Sequence, residues 1–170
     1  MSNVAGYSAY AGVHHDVEAP IDDTNHGVFF LNSRLALGDI SDGASQTLFV
    51  GEKIVLAGDL GWASGTRATL RNTGTRLNAF RGTVSSSAQP DRPPGVAGDS
   101  DTAQESGPPP EGIVAGIPQG PLAVGGFSSH HPGGANFARG DGSVELVSDA
   151  ISPQVYQQLG HRSDGGLLAN

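Results

Sequence analysis

The sequence predicts an α+β fold: a mostly antiparallel β-sheet, a short C-terminal helix and a long Pro- and Gly-rich insertion. Three observations lead there. First, Gly 26 and Pro 11 in 170 residues exceed ordinary usage and would interrupt most helices. Second, apolar residues come in short runs bounded by turn signals, the pattern of strands. Third, residues 152–160 carry a full set of helix signals. Ser152 suits the N-cap and Pro153 the first position. Val155, Tyr156 and Leu159 lie at helical spacing, and Gly160 is a stop. The glycines have no three-residue period, which excludes collagen.

The elements follow in order. Residues 3–20 are small and polar, with Tyr7 and Tyr10 expected to pack on a nearby sheet. The first strand is expected at 28–31, where a continuous apolar run implies burial on both faces. Asp42-Gly43 signals a turn, and Asp39 or Ser41 suits the cap of a short helical turn. Residues 48–57 read as a strand, with Gly51 inside it marking a bulge or a close backbone approach. Residues 61–70 are Thr- and Gly-rich and suit another short strand, with Trp62 packing against the sheet. Residues 83–121 hold eight of the eleven prolines and few apolar groups. Such a stretch cannot offset its ordering entropy and reads as an insertion loop. Neither flank looks self-sufficient, so residues 1–170 are read as a single domain. Strands are expected again at 124–129 and 135–138. Gly140-Asp141-Gly142 then turns the chain into a strand at 143–148, with Val144 and Leu146 on one face and Glu145 and Val147 on the other.

Composition also excludes functions. The formal net charge is −8 and no Lys/Arg cluster offsets it, which argues against nucleic-acid binding. Cysteine is absent, so disulfides and thiolate–metal sites are excluded. No apolar run approaches the roughly 18 residues that span a bilayer. No secretory signal pattern opens these residues either.

One string stands out near the C-terminus: FSSHHPGGANFARGDGSVELVSDAIS, in which His131 is followed by nine residues and then Asp141-Gly142. It resembles the prepilin-type processing-associated H-x(9)-D-G domain, a pseudopilin-like bacterial family of unknown biochemical function. DISDGASQTLFVGE at 39–52 and GWASGTRATLRNTGTRLN at 61–78 are similar to two further segments of that family. The resemblance implies a pilin-like head, here without the long N-terminal apolar helix that anchors family members. It implies an extracytoplasmic location at a bacterial surface or periplasm. It also implies protein partners in a pilus-like or secretion assembly, with membrane anchoring through a helix not carried here. The expected role is non-enzymatic: a structural or interaction module that presents loops from a rigid sheet.

The residues themselves leave alternatives open. Within the motif, His131, Pro132, Gly133, Gly134, Asn136, Asp141 and Gly142 are read as a structural clasp. In it the imidazole donates to a carboxylate or carbonyl and locks the hairpin. The rival reading is a His131/Asp141 hydrolase pair or a metal-dependent one. For zinc or copper, His14, His15 and His130 are the candidates. Adjacent strand residues face opposite ways, so one histidine at most from each His-His pair would converge. Calcium is the other possible cofactor, with Asp39, Asp42, Asp141 and Asp149 in loops and turns, although no EF-hand spacing is present. A carbohydrate- or peptide-binding module is a third reading and needs an exposed aromatic platform. Arg139-Gly140-Asp141 spells an adhesion tripeptide, but the turn already accounts for Asp141.

Overall fold

The computed structural model describes residues 6–55, 61–62, 67–79 and 122–166. The expected insertion at 83–121 lies outside the described residues. Five strands make one sheet: β1 (Tyr10–His15), β2 (Leu48–Glu52), β3 (Leu70–Asn72), β4 (Gly134–Arg139) and β5 (Val144–Ser148). Their order across the sheet is β3-β1-β2-β4-β5. All neighbours are antiparallel except β1 and β3, which run parallel. The α+β, mostly β fold read from the sequence is the observed one.

The one α-helix, α1 (Pro153–Gly160), packs against β1 and β2. Ser152 caps it by accepting the Val155 N–H, with proline in the first turn. Tyr156 and Leu159 are buried, whereas Val155 stays largely exposed. The helix covers a core of Ala11, Val13, Leu48, Leu77, Phe127, Ala135, Phe137 and Val147. Phe127, Phe137 and Tyr156 stack edge to face, with ring centroids 5.0 and 6.0 Å apart. Gly51 is the close approach anticipated from the sequence. A Cβ there would stand 2.3 Å from the Phe137 ring, and the β2–β4 register shifts between Leu48 and Val50.

Several expectations need correction. The stretch 3–20 contains β1, flanked on both sides in the sheet. Its small residues let neighbouring aromatics lie over it, as Phe29 does over Gly12. Tyr7 and Tyr10 are exposed rather than packed. Residues 28–31 are not a strand. Gly27 N–H donates to His14 O, and Val28 N–H and Phe29 N–H both reach Val13 O. Three donors meeting two carbonyls turn the chain across the end of β1 instead of along it. The apolar run is accordingly not buried on both faces, since Phe29 and Leu31 are exposed. Trp62 is 65% exposed and does not pack in the core.

Residues 124–129 make only an isolated bridge, Asn72 to Gly126. They are nevertheless buried, so their backbone groups need partners. Glu18 supplies two: its carboxylate accepts the N–H groups of Val124 and Gly125, at 2.7 and 2.9 Å. The same carboxylate accepts from Asn72 Nδ2 and Thr75 Oγ1. In β5 only one residue is buried. Val147 is buried, whereas Val144 and Leu146 are 68% and 54% exposed on this edge strand.

Candidate functional site

The signature histidine does not meet the signature aspartate. Asp141 accepts from the backbone N–H and hydroxyl of Ser143, at 2.9 and 2.6 Å, and so closes the β4–β5 turn. These bonds hold its carboxyl below the usual range. Arg139 pairs with Glu145 and donates to Ser45 O, so both charges of the Arg-Gly-Asp string are engaged locally. His131 lies beyond the other end of β4, with its side chain 57% exposed. Its Nε2–H donates to Glu52 Oε1 at 3.1 Å. A buried His131–Asp141 clasp is therefore not what the chain builds.

The clasp is centred on Glu52 instead. Pairing between β2 and β4 runs as far as Gly51 and Phe137. At the next position the Glu52 side chain takes over and accepts the Asn136 N–H on Oε2 at 2.8 Å. Oε1 accepts from Asn136 Nδ2 at 3.3 Å as well as from His131. Burial pushes the Glu52 carboxyl up. The Asn136 backbone bond, Ser129, the Asn136 amide and His131 together outweigh it and leave the group below its ordinary value. Pro132, Gly133 and Gly134 carry the chain from His131 into β4, and Gly133 O accepts the Asp149 N–H. Asp42 is a second such bridge. It is buried and accepts the N–H groups of Asp164 and Gly165 at 2.7 and 2.8 Å. Asp39 follows suit more locally. It ends the 3-10 turn Leu37–Asp39 and its carboxylate accepts the Ala36 N–H.

A different cluster gathers ionisable side chains. Among the described residues, His15, Asp16 and His26 are the one group of three or more metal-type donors within reach of a common point. Their ligand atoms lie within 4.8 Å of one another. Asp16 Oδ1 is 2.5 Å from His15 Nδ1 and 2.9 Å from His26 Nδ1. The rings of His15 and His26 are 4.5 Å apart, and His161 stacks 4.6 Å from His26. Burial pushes the Asp16 carboxyl up, but its own backbone N–H and the two imidazoles outweigh that and hold it low. Burial also lowers His161, against the pull of Asp16.

Local structure fixes this cluster. The β1–β3 register shifts between Val13 and His15, so strict alternation fails and both His14 and His15 are buried. His14 Nδ1–H donates to Asn25 Oδ1 at 3.0 Å. Burial lowers the His14 imidazole below its ordinary value. Asn25 Oδ1 also accepts the Asp22 N–H, while Asn25 Nδ2 donates to Pro20 O. Gly27 lies so close to β1 that a Cβ would stand 2.5 Å from Val13 O and from the His14 backbone. Arg162 Nη1 donates to the carbonyls of Asn25 and Gly27, and its backbone N–H to that of His26. His26 is thus clamped on either side.

Of the residues singled out for a metal, only His15 belongs to this group. His14 engages Asn25 through Nδ1 and is not in the group, and His130 is exposed. Asp39, Asp42 and Asp141 accept hydrogen bonds within their own turns or bridges, and Asp149 is not in the group. Sequence reasoning missed Glu18, Glu52, His26 and His161 as partners: Glu18, Glu52 and His161 act on residues remote in the chain, and His26 reaches Asp16 only through the fold of the loop between them.

A family model described as a protein of unknown function, DUF1559, matches residues 1–154. No curated protein matches the chain, and no solved structure does.

Proposed function

The chain belongs to the DUF1559 family, and we propose that it is a non-enzymatic structural or interaction module, the head of a pseudopilin-like bacterial surface or secretion-associated protein. One observation carries the reading. The motif residues His131, Asn136 and Asp141 are engaged in joining β2 to β4 through Glu52 and in closing the β4–β5 turn. They serve rigidity, which suits a platform for protein contacts better than a reaction centre. Such a head acts outside the cytoplasm, carried by an N-terminal helix beyond these residues. Among the described residues, no helix is long and apolar enough to cross a membrane. Its partners are other proteins of a pilus-like or secretion assembly. The test is electron microscopy of the protein expressed from its full gene in bacterial envelopes, with crosslinking to neighbours. Labelled filaments or membrane-linked assemblies support the reading. A protein that stays monomeric and unattached overturns it.

A further inference from the structure

We propose that His15, Asp16 and His26 bind a divalent first-row metal ion of the zinc class, through both imidazole Nδ1 atoms and a carboxylate oxygen of Asp16. The inference goes beyond the structural role above and does not depend on it.

The contacts of one nitrogen carry the argument. His15 Nδ1 stands 2.5 Å from Asp16 Oδ1 and also 3.0 Å from the Asp16 backbone N–H. A nitrogen bearing a proton serves the first contact and opposes the second. A nitrogen bearing a lone pair serves the second and faces a carboxylate oxygen with no cation between them. A metal ion resolves this. It takes the lone pair and the carboxylate oxygen together and puts a cation between them. His26 Nδ1 approaches the same oxygen from another segment, at 2.9 Å.

The donor set selects the metal. Two imidazoles with one carboxylate suit zinc and similar divalent ions and leave coordination positions open. Calcium prefers six to eight oxygens. Zinc with arms of about 2.0–2.1 Å separates tetrahedral ligand atoms by roughly 3.3 Å. The donors must therefore spread by a few tenths of an ångström or more. Exposure allows it: the His15 side chain is 9% exposed and fixed, but Asp16 and His26 are 20% and 48% exposed. The open His26 side admits the ion and leaves water to complete its shell. The backbone clamp from Arg162 and the stacked His161 ring hold His26 ready.

The test uses untagged, chelator-treated protein titrated calorimetrically with Zn²⁺, and with Co²⁺ read by visible absorption. One ion per chain is expected, with a rise in melting temperature. His26→Ala and Asp16→Asn should weaken binding at least tenfold, while a His130→Ala/His131→Ala double variant should bind like the parent. His26→Gln repeats the measurement should His26→Ala fold poorly. Absence of heat and of a cobalt band overturns the proposal. So does binding that survives loss of His26 and Asp16, or that disappears with His130 and His131. An equal response to Ca²⁺ overturns it as well.

Discussion

Replacing Glu52 with alanine removes the group that ends the β2–β4 ladder. Besides the Ser129 contact, three bonds of defined geometry are lost: the Asn136 N–H at 2.8 Å, the Asn136 amide at 3.3 Å and His131 at 3.1 Å. They are unequal. A backbone N–H bound to a charged carboxylate contributes about 1.5–3 kcal/mol. The long amide bond and the exposed His131 pair together add up to about 1 kcal/mol. Glu52→Ala should therefore destabilise the chain by about 2–4 kcal/mol. At about 2–4 °C per kcal/mol for a chain of this size, the melting temperature should fall by about 5–15 °C. His131→Ala removes only the exposed partner and should cost less than about 1 kcal/mol. Thermal melts of both variants and of their combination provide the assay, since the double-variant cycle isolates the pair. Equal losses for the two single variants would show that the bond to His131, not the strand cap, matters. A Glu52→Ala melt matching the parent would refute the reasoning outright.

Three further outcomes follow from the same accounting. Asp42→Ala should cost about 1.5–3 kcal/mol and speed amide exchange at Asp164 and Gly165, whose N–H groups it holds. The Tyr156 hydroxyl is buried and meets no hydrogen-bond partner among the described residues. Tyr156→Phe should therefore leave stability unchanged or raise it by up to about 1 kcal/mol in urea unfolding. Stability should fall with acid in two stages. His14 has a folded value below its unfolded one, so the unfolded chain takes up a proton first and stability declines as pH drops below about 6.5. Asp16 and Glu52, held low in the folded state, contribute stability above about pH 4 that is lost as pH falls through their folded values. Glu52→Gln should lessen the second stage, leaving the share due to Asp16, and keep the first intact.

Local signals explain which elements could be read. The helix at 153–160 carried its own cap, proline and stop, and the β4–β5 hairpin carried its own turn. Gly51 announced a close approach because an internal strand glycine has few other uses. β1 was hidden because its residues are small or polar, and its histidines are buried by a strand irregularity that no spacing reveals. Residues 28–31 misled because an apolar run was equated with pairing, whereas the loop only crosses the end of β1. The signature motif pointed to the correct neighbourhood and the wrong partner. His131 and Asp141 are close in sequence but lie beyond opposite ends of β4, and the carboxylate that His131 meets comes from β2. The same limit hid His26, which the Arg162 clamp and the Asn25 hydrogen bonds bring over His15 from a separate segment.

Glu18 has a consequence for how the chain tolerates change. Its carboxylate joins Asn72 and Thr75 to Val124 and Gly125. Asn78 adds bonds to Phe127 O and to the Ser129 N–H. Residues 72–78 and 124–129 are therefore fixed against each other by these bonds. Glu18 thus works as a keystone: one carboxylate holds together stretches of backbone that lie far apart in the chain.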